Sequence, residues 1–145
     1  MDVYVYEEKP TNFNAQLQVA ACYLTVKGKI LLLQRALHKS EPGKWGVPAG
    51  KLEPGETPEQ AAQRELFEET GITAPQLLSL GALYIRKPTI DYIYHLFQII
   101  IDQPQVRLSD ENQNYLWASL EELAHLPLMT AAPQAIQTYL QRGVL

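Results

Sequence analysis

Residues Gly50 to Ile72 read GKLEPGETPEQAAQRELFEETGI. Thr57 offers an N-cap hydroxyl, and Pro58 suits the first helical position, where a missing N–H costs nothing. Gln60 stands three residues after Thr57, where it can close a capping box. Gly71 occupies the place of a left-handed C-cap. These signals predict a helix from Pro58 to Thr70, with Ala62 and Leu66 as a narrow apolar stripe. Beside that stripe, at 100° per residue, Glu69 lies about 40° to one side of Glu65 and Glu68 about 60° to the other. Like charges at this spacing destabilise a helix, so the cluster needs compensation. A hard divalent cation is the simplest source, because Mg²⁺ seeks carboxylate oxygens and works on substrate phosphates.

The elements on either side indicate how such a helix would be buried. Gln18 to Val26 reads as a strand, Lys27-Gly28-Lys29 as a turn and Ile30 to Arg35 as its hairpin partner. His38 to Gly43 is a loop, and Trp45 to Val47 a short extended piece leading into Pro48-Ala49-Gly50. Leu77 to Arg86 and Tyr92 to Asp102 form two long strands around Lys87-Pro88-Thr89. Tyr115 to Ala118 is a short strand, Ser119 caps a short helix through Leu123, and a last helix runs from about Ala131 to Gln141. Strands and helices mix without strict alternation, so the expected class is α+β with a mixed sheet. A chain of 145 residues is the size of one domain, expected over 1–145.

Composition narrows the function. The net charge is -4 with no basic stretch, which argues against a stable nucleic-acid partner. No apolar stretch is long enough to span a bilayer. The start MDVYVYEEKP has neither a basic nor an apolar leader region, so no secretory signal is expected. A single cysteine, Cys22, lies in an apolar run and reads as a buried thiol, in keeping with a cytoplasmic location. His38, His95 and His125 show no metal-ligand spacing. GVPAGK, Gly46 to Lys51, falls short of a phosphate-binding P-loop, with one residue too few between its glycines and Leu52 where Ser or Thr is required.

The stretch from Gly50 also resembles the signature box of the Nudix hydrolases. Gly50, Glu56, Arg64, Glu65, Leu66, Glu68, Glu69, Gly71 and Ile72 fill its specified positions without departure. The resemblance implies the Nudix fold, a mixed β-sheet sandwiched between α-helices. It also implies an enzyme that hydrolyses a pyrophosphate bond in a nucleoside diphosphate linked to another group. Mg²⁺ would be the cofactor, with Mn²⁺ as a substitute. Glu65, Glu68, Glu69 and the Gly50 carbonyl would hold the metal, Glu65 and Glu69 as the main ligands. Arg64 would orient the glutamates, and Glu56 would either support them or bind an additional metal. Relatives place the general base either on a glutamate of the box or on a loop before a late strand; Asp110-Glu111 lies in such a loop, making Glu111 the candidate. Arg35 stands where relatives contact phosphates, and Tyr84 and Arg86 end a strand that could reach the substrate. Trp45 reads as core.

The substrate would be a nucleotide. Trp45-Gly46-Val47-Pro48 resembles the small nucleoside triphosphate pyrophosphohydrolases, which places a nucleoside triphosphate first. Pro48 to Glu56 is similar instead to ADP-ribose and nucleotide-sugar pyrophosphatases, the second reading. A non-catalytic nucleotide-sensing module is the third. A homodimer is compatible with all of them.

Overall fold

The computed structural model describes residues 2–102 and 104–144. Its elements in chain order are β1 (Tyr4–Tyr6), β2 (Ala15–Val26), β3 (Lys29–Arg35), β4 (Trp45–Gly46), β5 (Ala49–Lys51), α1 (Pro58–Thr70), β6 (Leu77–Lys87), β7 (Ile90–Ile99), β8 (Asn112–Ala118), α2 (Leu120–Leu123) and α3 (Ala132–Arg142).

The twelve-residue β2 organises the sheet. Its first part lies between β7, to which it runs parallel, and β5, to which it runs antiparallel. Its last residues turn at Lys27-Gly28 into β3, which carries β4 and β8 on its two sides. Beyond β7 follow β6 and the edge strand β1, both antiparallel. One parallel pair among antiparallel ones makes the sheet mixed, as expected.

Alternation along β2 and β3 splits the core into two layers. Ala20, Cys22, Leu24, Leu31 and Leu33 pack with Ala61, Ala62 and Leu66 of α1. Ala21, Tyr23, Ile30 and Leu32 face the other way, against Ala135, Ile136 and Tyr139 of α3. A one-residue slip of β2 would exchange the two faces, so register is strongly specified. The full burial of Leu66 alone contributes about 1.5–3 kcal/mol.

Helix α1 begins and ends where its capping residues predict. Gln60 N donates to Thr57 Oγ1 at 3.1 Å, and Thr57 N donates to Gln60 Oε1 at 2.9 Å. Gly71 closes the helix at φ 73°, its N–H bonded to Phe67 O. Ser119 and Glu122 form the second capping box at α2. The strands differ more from expectation. β2 starts at Ala15, because parallel pairing with β7 carries it outward, and β7 starts at Ile90, because the β6–β7 turn is tight. The three-residue β1 carries no periodic signal of its own and exists because β6 offers it an edge. No described helix is long and apolar enough to cross a membrane.

Candidate active site

The acidic edge of α1 faces β5. Gly50 occupies the crossing point: a Cβ there would lie 2.5 Å from Glu65 Oε2, with the carboxyl carbon nearer still. Only a glycine lets strand and carboxylate approach this closely. One turn further on, Glu69 is 4% exposed, and its Oε2 has no hydrogen-bond partner. Burial, then the charges of Glu65 and Glu111, push the Glu69 carboxyl well above the usual carboxylate range. The Ala49 N–H and the Asn112 amide oppose that shift, though Asn112 Nδ2 completes no hydrogen bond. Glu65 is raised too, chiefly by burial and against the pull of Arg64.

Arg64 ties the acidic residues together. Its Nε and Nη2 bond both oxygens of Glu56 at 2.6 and 2.9 Å. Its Nη1 reaches Glu65 Oε1 at 2.8 Å and Glu68 Oε2 at 3.2 Å, and Nη2 also donates to Lys51 O at 3.0 Å. The guanidinium holds the Glu56 carboxyl down at about 2, and Glu56 Oε1 also accepts a bond from Glu53 N at 2.8 Å. Among the described residues no three His, Cys, Asp or Glu side chains are gathered as a finished ligand cluster. Glu68 is the most exposed of the three helix carboxylates, with 55% of its side chain open to solvent.

Glu111 enters from the loop before β8, where Lys39 Nζ stands 3.6 Å from its Oε1. Its charge acts on both Glu65 and Glu69, so sequence-distant Glu111 shares their electrostatic neighbourhood.

A cavity of about 390 Å³ opens on the α3 side of the sheet and reaches β5. Gly50 and Lys51 line one edge and Arg35 another, its guanidinium bonded to Ser40 O and Oγ at 3.2 Å. Tyr84 and Arg86 do not line it. Tyr84 meets the Phe13 ring edge-on, while Arg86 forms a bidentate pair with Asp91 at 2.8 and 3.0 Å. Trp45 packs beside the α3-side core layer. His95 bonds Gln18 at 2.7 Å, and His38 and His125 are exposed.

Residues not anticipated from sequence are Glu41, Lys51, Tyr94 and Thr130 on the cavity wall. The two-residue period of β7 could have placed Tyr94 beside Tyr92. Glu41 and Thr130 meet across 89 residues, with nothing local to announce it.

Comparison with known proteins agrees with this geometry. A family model described as NUDIX domain matches residues 15–139. The chain is 37% identical over 105 residues to the ADP-ribose pyrophosphatase of Bacillus subtilis (strain 168), covering 67% of this chain but only 57% of that protein. It is 31% identical over 107 residues to nucleoside triphosphatase NudI of Escherichia coli (strain K12), covering 66% and 76%. The NUDIX domain of Shewanella oneidensis NrtR, solved with ADP ribose, shares the fold at a TM-score of 0.76, with 23% identity and 94% of each chain covered. The matched span runs from the start of β2 into α3 and includes the whole glutamate helix: the chain belongs to the NUDIX domain family.

Proposed function

We propose that this chain is a Mg²⁺-dependent hydrolase of the pyrophosphate bond in a nucleoside diphosphate linked to another group, acting on nucleoside triphosphates. The observation that carries the reading is the buried, unpartnered Oε2 of Glu69 beside the Glu65–Gly50 cradle. An uncompensated buried carboxylate is costly, and an all-oxygen donor set suits a hard dication. Glu65, Glu69 and Glu68 would hold the ion together with the Gly50 carbonyl. When bound, such an ion supplies a more acidic water and neutralises phosphate oxygens.

The chain's own groups supply the rest. Arg64, fixed by Glu56, holds the glutamates in place, support of the kind that aligns metal ligands. Glu111 accepts the proton of the attacking water, and Arg35 binds a phosphate at the cavity edge. The family generally uses divalent metal ions, which accords with this division of labour. The match to NudI, most of whose length it spans, supports a nucleoside triphosphate. The match to an ADP-ribose pyrophosphatase supports the second reading, an ADP-ribose-like substrate.

Purified protein with Mg²⁺ and a nucleotide panel, products resolved by chromatography, tests both. Nucleoside monophosphate plus pyrophosphate is the expected outcome, and AMP plus ribose phosphate selects the second reading. Glu69→Gln should abolish turnover. Turnover unaffected by that change or by a chelator refutes the metal mechanism.

A further inference from the structure

The cavity wall holds one hydroxyl proton for which the fold supplies no acceptor. Tyr23 Oη and Tyr94 Oη stand 2.8 Å apart. Register sets Tyr94 level with Val19, and Tyr23 lies four residues further along β2. The two phenols therefore meet over Ala21, a small residue of the same α3-facing layer. Among the described residues neither oxygen has a second hydrogen-bond partner. Tyr139, whose ring stacks on Tyr23 at 4.6 Å between centroids, has its own phenol engaged by Thr25 and by Gln98 Nε2. Two O–H donors thus share a single bond.

Burial decides which of them is spent. Both tyrosines line the cavity, but Tyr23 is fully buried whereas Tyr94 keeps part of its surface open. A buried donor left unmade costs its full desolvation, so Tyr23 donates and Tyr94 accepts. The Tyr94 hydrogen is then left to the cavity. Accepting from Tyr23 pins the phenol and polarises its O–H, which strengthens it as a donor. Its cross-strand neighbours Val19 and Leu83 are apolar, and a polar group set in such a surface fixes the orientation of a ligand.

Resting on the nucleotide reading above, we propose that Tyr94 is a ligand-binding residue whose phenol donates a hydrogen bond to an acceptor atom of the bound nucleotide. Tyr23 is the positioning residue that holds it. The acceptor is an oxygen or nitrogen of the nucleoside, or an oxygen of its phosphate.

Calorimetric titration of AMP, GMP, CMP and UMP into the full chain without metal separates binding from catalysis. For the tightest of the four, Tyr94→Phe should weaken binding roughly 3- to 30-fold. The same change strands the Tyr23 proton and should lower the denaturation midpoint. The double variant Tyr23→Phe/Tyr94→Phe removes both hydroxyls, so stability should return while affinity stays low. Repeating the titration with the matching nucleoside locates the acceptor. A loss that persists assigns it to the nucleoside, and a loss confined to the nucleotide assigns it to the phosphate. An affinity within about twofold of wild type in Tyr94→Phe overturns the proposal. So does affinity that recovers together with stability in the double variant, and so does a wild type that binds none of the four. Should Tyr94→Phe not fold, the double variant set against Tyr23→Phe makes the same comparison. Nucleotide turnover with an affinity independent of Tyr94 removes this inference and leaves the hydrolase standing; a Tyr94-dependent affinity without turnover does the reverse.

Discussion

Replacing Gly50 with alanine adds one methyl group at the point where strand β5 touches the glutamate helix. The new Cβ would stand 2.5 Å from Glu65 Oε2, whereas ordinary contact begins near 3.4 Å, so the carboxylate must withdraw by about 1 Å or more. Gly50 sits in a strand paired with Ala20 and has no positive φ, so alanine suits its backbone. The clash falls on the end of a flexible side chain, and the stability loss should therefore stay near 1 kcal/mol, the scale of one net hydrogen bond. The bond at risk is Arg64 Nη1 to Glu65 Oε1, 2.8 Å long. A catalytic group misplaced by 1 Å costs on the order of 100-fold in rate. Gly50→Ala should thus fold with nearly wild-type thermal stability while losing roughly two orders of magnitude in Mg²⁺-dependent turnover. Paired melting curves and steady-state rates across a metal titration measure both. Undiminished turnover with an unchanged metal response would refute the idea that the Gly50–Glu65 approach shapes the site.

Three further perturbations address the framework around it. Arg64→Lys keeps the charge but loses the two-pronged grip on Glu56, and denaturant unfolding should register a loss of about 1–3 kcal/mol; equal stability would show the fork to be dispensable. Glu56 is lowered from 4.5 to about 2 by Arg64, so its contribution is present above 4.5 and disappears as pH falls through about 2. The stability gap between wild type and Glu56→Gln should accordingly narrow over that window, and a gap independent of pH would contradict the pairing. Cys22 is fully buried, donates to Ala62 O at 3.3 Å, and has a thiol pushed up by burial and then by Glu69 and Glu65. A thiol reagent should label it only after denaturation, and prompt labelling of the native chain would be inconsistent with that packing.

Legibility from sequence followed the range of the forces involved. Helix α1 could be read to the residue, because its cap, proline, stripe and terminal glycine all act within a turn or two. The spacing of Glu65, Glu68 and Glu69 could be read for the same reason. Strand ends were less legible: β2 begins at Ala15 only because β7 lies parallel to it, an association across 76 residues. Tyr84 and Arg86 illustrate the same limit. Their place at a strand end suggested the substrate, but Phe13 and Asp91 engage them away from the cavity.

The amino-acid sequence by itself determined the glutamate helix, the mixed α+β class and the family, since each rests on local spacing. Tertiary structure alone decided that Glu69 is sealed with an unpartnered oxygen while Glu68 stays open. It also decided that the charge of Glu111 acts on Glu65 and Glu69, and that Glu41 is tied to Thr130 on the wall of a cavity lined by tyrosines. Burial and electrostatic coupling depend on which distant segments pack together, and no local pattern in the chain encodes that.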